Sequence, residues 1–89
     1  MPQVEVPLPY RVPTKGEGRI QVDGHTVREC IEAVEARYPG FRALILDANG
    51  ELDRLVLLFV SGDELARDAL DSPISDEDSV EIRAVVAGG

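Results

Sequence analysis

Hydrophobic residues alternate with other residues along the first segment of the chain, from Val4 to Val12. A period of two is typical of a strand with one buried face. Prolines interrupt the pattern, and since proline cannot donate to a strand ladder, we expect good pairing only at the start. A turn at 15–18, followed by the apolar residues Ile20 and Val22, predicts a second strand and therefore an antiparallel hairpin.

A helical pattern covers residues 27–38. Apolar side chains recur there with the spacing of one helix face, at Val27, Cys30, Ile31, Val34 and Tyr38. Thr26 stands at the N-cap position and Glu29 follows three residues later, which is the spacing of a capping box. Pro39 and Gly40 end the pattern and predict the end of the helix.

The second half of the chain predicts two further strands. Residues 55–60 are apolar on both faces, and residues 80–86 alternate with a period of two. The apolar segment 41–46 cannot be assigned from periodicity, and residues 64–70 fit either a short strand or a helical turn. The order is strand, strand, helix, strand, short element, strand, so one helix has to cover one face of a mixed sheet. This order predicts an α+β fold of the β-grasp type.

The predicted core follows from the same pattern. It comprises Val6, Ile20, Val27, Ile31, Val34, Leu58, Val60, Val80 and Ile82.

Charge narrows the choice of partners. Seventeen acidic residues against nine basic ones give a net charge of −8, and such a surface repels phosphate, so we expect neither nucleic acid nor an anionic membrane as a partner. The acidic stretch 63–81 is either a solvated face or a docking surface for a basic partner. With no apolar run near the roughly 20 residues that span a bilayer, and no apolar N-terminal segment, we expect a cytoplasmic protein.

Residues with catalytic chemistry are few. Cys30 and His25 are the only cysteine and histidine, so we expect no internal disulfide and no zinc cluster of the usual ligands. Cys30 falls on the apolar helix stripe, which predicts a buried and unreactive thiol. His25 precedes the N-cap and is expected to be a solvated turn residue. Without a phosphate loop or a nucleophile elbow, we expect neither catalytic residues nor a bound metal or cofactor.

The C-terminus carries the most informative motif, Gly88-Gly89, directly after the last predicted strand. Because neither residue has a Cβ, such a tail can enter a narrow slot and adopt any backbone conformation. A terminal Gly-Gly pair arises by chance in about one chain in 200 at ordinary glycine content. We therefore expect a folded domain over residues 1–86 and a flexible tail over residues 87–89.

Six segments of the chain share the pattern of one known family: residues 4–7, 26–29, 38–40, 58–64, 74–82 and 85–89. Together they resemble the ThiS/MoaD family of ubiquitin-like sulfur carriers, which includes the small subunit of molybdopterin synthase and the carrier of a cysteine-biosynthesis pathway. The final Val-Val-Ala-Gly-Gly is the most specific of the six. The chain departs from the pattern at Ser61, Glu77 and Ala84, where many members of the family carry Asn, Gly and Pro.

The resemblance implies a carrier rather than an enzyme. A partner resembling the ubiquitin-activating enzymes would use ATP to adenylate the carboxyl of Gly89, and a sulfur donor would convert that adenylate to a thiocarboxylate. Gly88 would supply clearance, while Val86 and Ala87 would line the entry to the partner. A sulfur-accepting synthase of the molybdopterin or cysteine type would then take the sulfur. The resemblance also allows a metalloprotease that processes the tail.

Similarity to ubiquitin-like folds further implies that Leu57 and Phe59 face away from the helix, beside Glu81 and Arg83. We expect these four residues to form a partner interface. In the alternative arrangement, residues 41–54 fold over this face.

Two other function classes remain open. One is a protein modifier conjugated through Gly89 to lysines of target proteins, because a Gly-Gly tail permits either chemistry. The other is an interaction domain whose Gly-Gly tail is incidental.

Overall fold

The computed structural model describes residues 1–85. Strands β1 (Gln3–Glu5) and β2 (Arg19–Gln21) form the predicted antiparallel hairpin. As expected, only the start of the alternating segment is a strand: Leu8–Tyr10 forms a 3₁₀ helix and Val12 is exposed. Prolines on both sides of Leu8 lack the N–H that a longer strand would need, so the chain leaves the sheet early.

The loop between β1 and β2 is held by its own hydrogen bonds. Val6 donates its N–H to the carbonyl of Gly18, and Arg11 donates Nε–H to the carbonyl of Val6 at 2.7 Å. Thr14 is fully buried, and its hydroxyl lies 2.9 Å from the carbonyl oxygen of Glu17. These bonds fix where the exposed side chains of the loop stand.

Helix α1 (Val27–Arg37) begins and ends where the sequence predicts, with Tyr38 as its C-cap. The Thr26 hydroxyl accepts the N–H of Glu29 at 3.1 Å, which confirms the N-cap. The Glu29 carboxylate reaches back to the N–H of His25, one residue before the N-cap, at 2.8 Å. The buried helix residues are Val27, Cys30, Ile31 and Val34.

The apolar segment that periodicity could not assign forms a short helix, α2 (Arg42–Ile45). Its start is fixed by Glu35 of α1, whose carboxylate accepts the N–H groups of Gly40 and Arg42. These bonds lower the pKa of Glu35, the bond from Arg42 contributing most. Phe41 and Ile45 are fully buried, so this segment closes one side of the core.

The remaining strands are β3 (Val56–Val60), β4 (Asp63–Glu64) and β5 (Ser79–Ala84). The short element predicted over residues 64–70 is not formed: β4 ends at Glu64, and residues 65–70 are turns and irregular chain. The turn between β3 and β4 places Ser61 and Gly62 at positive φ, 48° and 94°. Asparagine and glycine adopt this conformation most readily, and Ser61 is held in it by a hydrogen bond from its hydroxyl to Asp78 at 2.7 Å.

The sheet has the strand order β2-β1-β5-β3-β4. The central pair β1 and β5 is parallel, while every other pair is antiparallel. One long helix covers one face of this mixed sheet, which confirms the predicted β-grasp fold.

The core lies between the sheet and α1, and eight of the nine predicted core residues are buried in it. Val60 is only half-buried, because it ends β3 beside the two-residue strand β4 and has little cover. Within residues 1–85, no helix is both long and apolar enough to cross a bilayer.

Candidate functional site

Strand β5 leads directly toward the C-terminus from the middle of the sheet. It pairs with β1 on one side and with β3 on the other. After Ala84, Val85 donates its N–H to the carbonyl of Leu55 at 2.8 Å, so the ladder continues for one more residue. The predicted tail chemistry of Val86, Ala87, Gly88 and Gly89, and the domain boundary at residue 86, lie outside the described residues.

Strands β3 and β5 present two different faces. The inner face carries Val56, Leu58, Val80 and Ile82, all of which are at most 1% exposed. The alternate residues Leu57 and Phe59 are half-buried and belong neither to the core nor to the side chains packed against it. They therefore point away from α1, as the resemblance implied.

The register brings the four predicted interface residues together. Leu57 pairs with Arg83, and Phe59 pairs with Glu81, across the antiparallel β3–β5 ladder. The guanidinium carbon of Arg83 lies 4.0 Å from the centre of the Phe59 ring, which is a cation–π contact. Arg83 also donates to the Glu81 carboxylate at 3.0 Å, and this hydrogen bond raises the pKa of Arg83. Leu57 and Phe59 therefore form an apolar pair beneath the guanidinium of Arg83, which is held by Glu81. Such a surface is suited to protein contact.

Residues 41–54 contribute to the opposite side of the sheet. Phe41, Ile45, Leu46 and Leu52 are all members of the core cluster. The apolar residues of this segment therefore pack on the inner face of the sheet, and not on the face that carries Leu57 and Phe59.

Sequence reasoning missed the residues that extend the site across the sheet. Glu5 on β1 pairs with Glu81, and Arg19 on β2 pairs with Glu5. Their place follows from strand order and register, which the sequence pattern does not specify. A continuous row therefore runs from Arg19 through Glu5 and Glu81 to Phe59.

The two residues with redox or proton-transfer chemistry lie elsewhere. Cys30 is fully buried on α1, and burial, followed by the charges of Glu29 and Asp23, raises its pKa to about 11. A thiol in that state is neither ionised nor accessible at neutral pH, as the sequence predicted. The side chain of His25 is exposed in the turn before the helix, also as predicted. Across residues 1–85, no three His, Cys, Asp or Glu side chains are placed to share a metal ion.

With the geometry established, comparison with known proteins decides the family. The model of the ThiS family matches residues 13–89, which include the Gly-Gly terminus. The chain belongs to the ThiS family. Among curated proteins, no sequence matches it.

Solved structures agree with the family assignment. A chain in the crystal structure of the Amycolatopsis orientalis BexX/CysO complex is 30% identical, with a TM-score of 0.91 and complete coverage of both chains. CysO from Mycobacterium tuberculosis is 29% identical, with a TM-score of 0.88, and the match covers 97% of this chain and all of that one. SAMP1 from Haloferax volcanii, at 20% identity and a TM-score of 0.76 over 99% of this chain and 98% of that one, shares the fold.

Membership of the ThiS family and the likeness to CysO support a ubiquitin-like sulfur carrier. Small ThiS proteins of this type are carriers and not enzymes themselves.

Proposed function

We propose that this protein carries sulfur as a thiocarboxylate on the C-terminal carboxyl of Gly89. The observation that carries the proposal is the ThiS match through Gly89, at the end of a chain whose central strand β5 runs toward that terminus. Gly88 has no side chain, so the last peptide can pass through a slot that any larger residue would block. Val86 and Ala87 precede it and line the entry.

The chemistry needs two steps, both carried out by partners. An adenylating enzyme joins the Gly89 carboxylate to the α-phosphate of ATP, which forms an acyl-adenylate and releases pyrophosphate. A sulfide equivalent from the donor then attacks the acyl carbon and AMP leaves. The product carries sulfur in place of one carboxylate oxygen. The carrier contributes its terminal carboxyl and a docking surface, while ATP binds to the partner.

The likeness to CysO over complete chains favours a cysteine-type pathway over a molybdopterin-type one. The existence of a BexX/CysO complex supports a stable contact between a carrier of this kind and a partner protein. In our proposal, Leu57, Phe59, Glu81 and Arg83 make that contact, and a sulfur-accepting synthase later takes the sulfur.

The direct test is intact mass spectrometry after incubation with the adenylating enzyme of the same organism, ATP and sulfide. We expect a mass gain equal to one oxygen-to-sulfur exchange that depends on ATP, and a further gain of one alkyl group when an alkylating agent caps the thiocarboxylate. Omission of ATP is the control. If the mass is unchanged, the carrier mechanism is wrong, while a ladder of conjugates to lysines would identify a protein modifier.

A further inference from the structure

The strand register divides the molecule into two ends. Strands β1 and β5 are parallel and finish at the same end, where β2 and β3 begin. This tail end therefore holds the loop 7–18, the segment 53–55 and Val85. The far end holds the segments 22–26, 61–64 and 71–79, which are joined there by bonds such as the one from Ser61 N to the Ser79 carbonyl.

Exposed apolar side chains gather at the tail end. Leu8 is 76% exposed, Val12 is 87% exposed and Leu55 is 51% exposed, and Val85 is open to solvent as well. Four of the six large exposed apolar residues described in the structure thus lie around the point where the chain leaves the sheet. We call these four the tail-end collar. Single exposed apolar residues are ordinary, but their concentration at one end indicates a contact surface.

The loop that carries Leu8 and Val12 is held in place. Arg11 donates to the Val6 carbonyl, Thr14 is buried, and Tyr10 packs against the core. Burial and then the charge of Asp53 raise the pKa of Tyr10, which places this loop near the segment that leads to Leu55. The apolar side chains are therefore presented by a structured loop, which reduces the entropy lost on binding.

Charge is distributed just as unevenly. The tail-end segments 7–18 and 53–55, with Val85, contain three basic residues and two acidic ones: Arg11, Lys15 and Arg54 against Glu17 and Asp53. Arg19 and Arg83 flank this end and form ion pairs with Glu5 and Glu81. The far-end segments contain seven acidic residues and neither lysine nor arginine: Asp23, Asp63, Glu64, Asp71, Asp76, Glu77 and Asp78. The net charge of −8 therefore arises mainly at the far end, while the tail end, where Val85 lies, is slightly basic.

Chain length forces any partner that acts on Gly89 to approach this end. Gly89 lies four positions after Val85, and a fully extended chain of four residues spans at most about 14 Å. The partner's active site has to enclose the terminal carboxyl within this distance of Val85. The partner's surface around that active site therefore contacts the tail end.

We propose that the tail-end collar and its basic rim dock the adenylating partner, whose matching surface is apolar with an acidic rim. This inference rests on the proposed function and adds the chemistry of the partner to it. The acidic far end repels the same partner surface, so the charge asymmetry orients the encounter with the tail toward the slot. The basic partner suggested by the acidic stretch would instead meet the end opposite the tail.

The test measures ATP–pyrophosphate exchange by the adenylating enzyme of the same organism, with the carrier as the varied substrate. The double variant Leu8→Ser, Val12→Ser should raise KM for the carrier about tenfold and leave kcat nearly unchanged, because docking is lost while the chemistry is kept. Leu44→Ser, which alters an exposed leucine of α2 outside the collar, is the matched control. Circular dichroism confirms that each variant is folded.

Charge reversal tests the rim. Lys15→Glu with Arg54→Glu should raise KM about tenfold at low salt, and the difference from wild type should shrink as salt increases. The matched reversal at the far end, Asp63→Lys with Glu77→Lys, should leave KM unchanged or lower it. An unchanged KM for the Leu8 and Val12 variant would overturn the proposed docking role of the collar. An unchanged or lower KM for the Lys15 and Arg54 variant would overturn the proposal that the partner has an acidic rim. Absence of exchange with the wild-type carrier would instead overturn the proposed function itself.

Discussion

The two faces of strands β3 and β5 differ in what their side chains do after folding. On the inner face, Leu58 and Ile82 are almost completely removed from water against α1. On the outer face, Leu57 and Phe59 remain half-exposed, with Arg83 resting on the Phe59 ring. Burial of the inner face already stabilises the fold. The apolar surface that remains exposed on the outer face can still be buried, and so can stabilise a complex with a partner.

This difference separates stability from recognition in a chain of only 89 residues. A change on the inner face should act on the free energy of unfolding, and a change on the outer face or at the terminus should act on partners. Four groups of variants test how complete the separation is, from the largest expected effect to the smallest.

The largest effect is expected at the terminus. Deletion of Gly89 should abolish sulfur transfer and leave the fold intact. The carboxyl would retreat by about 3.3–3.6 Å, and even a 1 Å misplacement can cost about a hundredfold in rate. Gly88→Val should act in the same way, because a β-branched side chain restricts the backbone and fills the slot.

The matched control for the terminus is Cys30→Ala on the inner side of α1. This variant should still form the thiocarboxylate, because the thiol is buried and its pKa is about 11. Mass spectrometry measures transfer and circular dichroism measures folding. Transfer by the Gly89 deletion, or its loss in a folded Cys30→Ala variant, would point to a cysteine persulfide instead.

The next largest effect is expected on the free energy of unfolding, and it differs between two neighbouring leucines of β3. Leu58→Ala should lower the free energy of unfolding by about 2–5 kcal/mol, because it leaves a cavity in a closely packed core. Ile31→Ala on α1 should cost a similar amount. Leu57→Ala, one residue away on the outer face, should cost less than about 1 kcal/mol. Urea denaturation provides the measurement, and equal losses at 57 and 58 would show that the faces are assigned wrongly.

A smaller effect is expected for binding through the outer face. Phe59→Ala removes the ring beneath Arg83 and should raise KM for the adenylating partner about tenfold, with little change in stability. Phe59→Leu keeps part of the apolar surface and should recover part of the affinity. If Phe59→Ala binds the partner as well as wild type does, the outer face is not part of that interface.

The smallest effect concerns Asp78, which ties the β3–β4 turn to the start of β5. Hydrogen bonds from Ser75 N–H and the Ser61 hydroxyl lower the pKa of Asp78 from its ordinary value of 3.8. A carboxyl with a lowered folded-state pKa stabilises the fold above its ordinary pKa, and this contribution is lost as pH falls through the folded-state value. Asp78→Asn should therefore lower the melting temperature slightly at neutral pH and have no such effect in strong acid. A constant difference across the pH range would contradict this account.

The sequence was sufficient to predict α1 and most of the core. A period of 3.6 residues over 27–38, a capping box and a Pro-Gly stop are local signals, and each acts within a few residues. The same reasoning predicted that the first alternating segment pairs well only at its start, and β1 does end before Pro7. The burial of Val60 was overestimated, since its cover depends on the length of the neighbouring strand β4.

Some features of the candidate site could likewise be predicted from the sequence, while others depend on the tertiary structure. The Gly-Gly terminus, the absence of catalytic motifs and the alternation along β3 are properties of the chain itself. The contact between Arg83 and Phe59, and the row from Arg19 to Phe59, depend on which strands are neighbours and in which register. No local pattern specifies the register of a pairing between residues that lie more than ten positions apart.

By itself, then, the sequence determined most of the element types, the inward face of the helix and the Gly-Gly motif at the terminus. Only the tertiary structure decided that basic and exposed apolar residues gather where β5 ends, while seven acidic residues gather at the opposite end. The physical reason is that local propensity acts over one or two turns of chain. The grouping of distant charges on one surface comes from strand order and direction, which are fixed when the whole core closes.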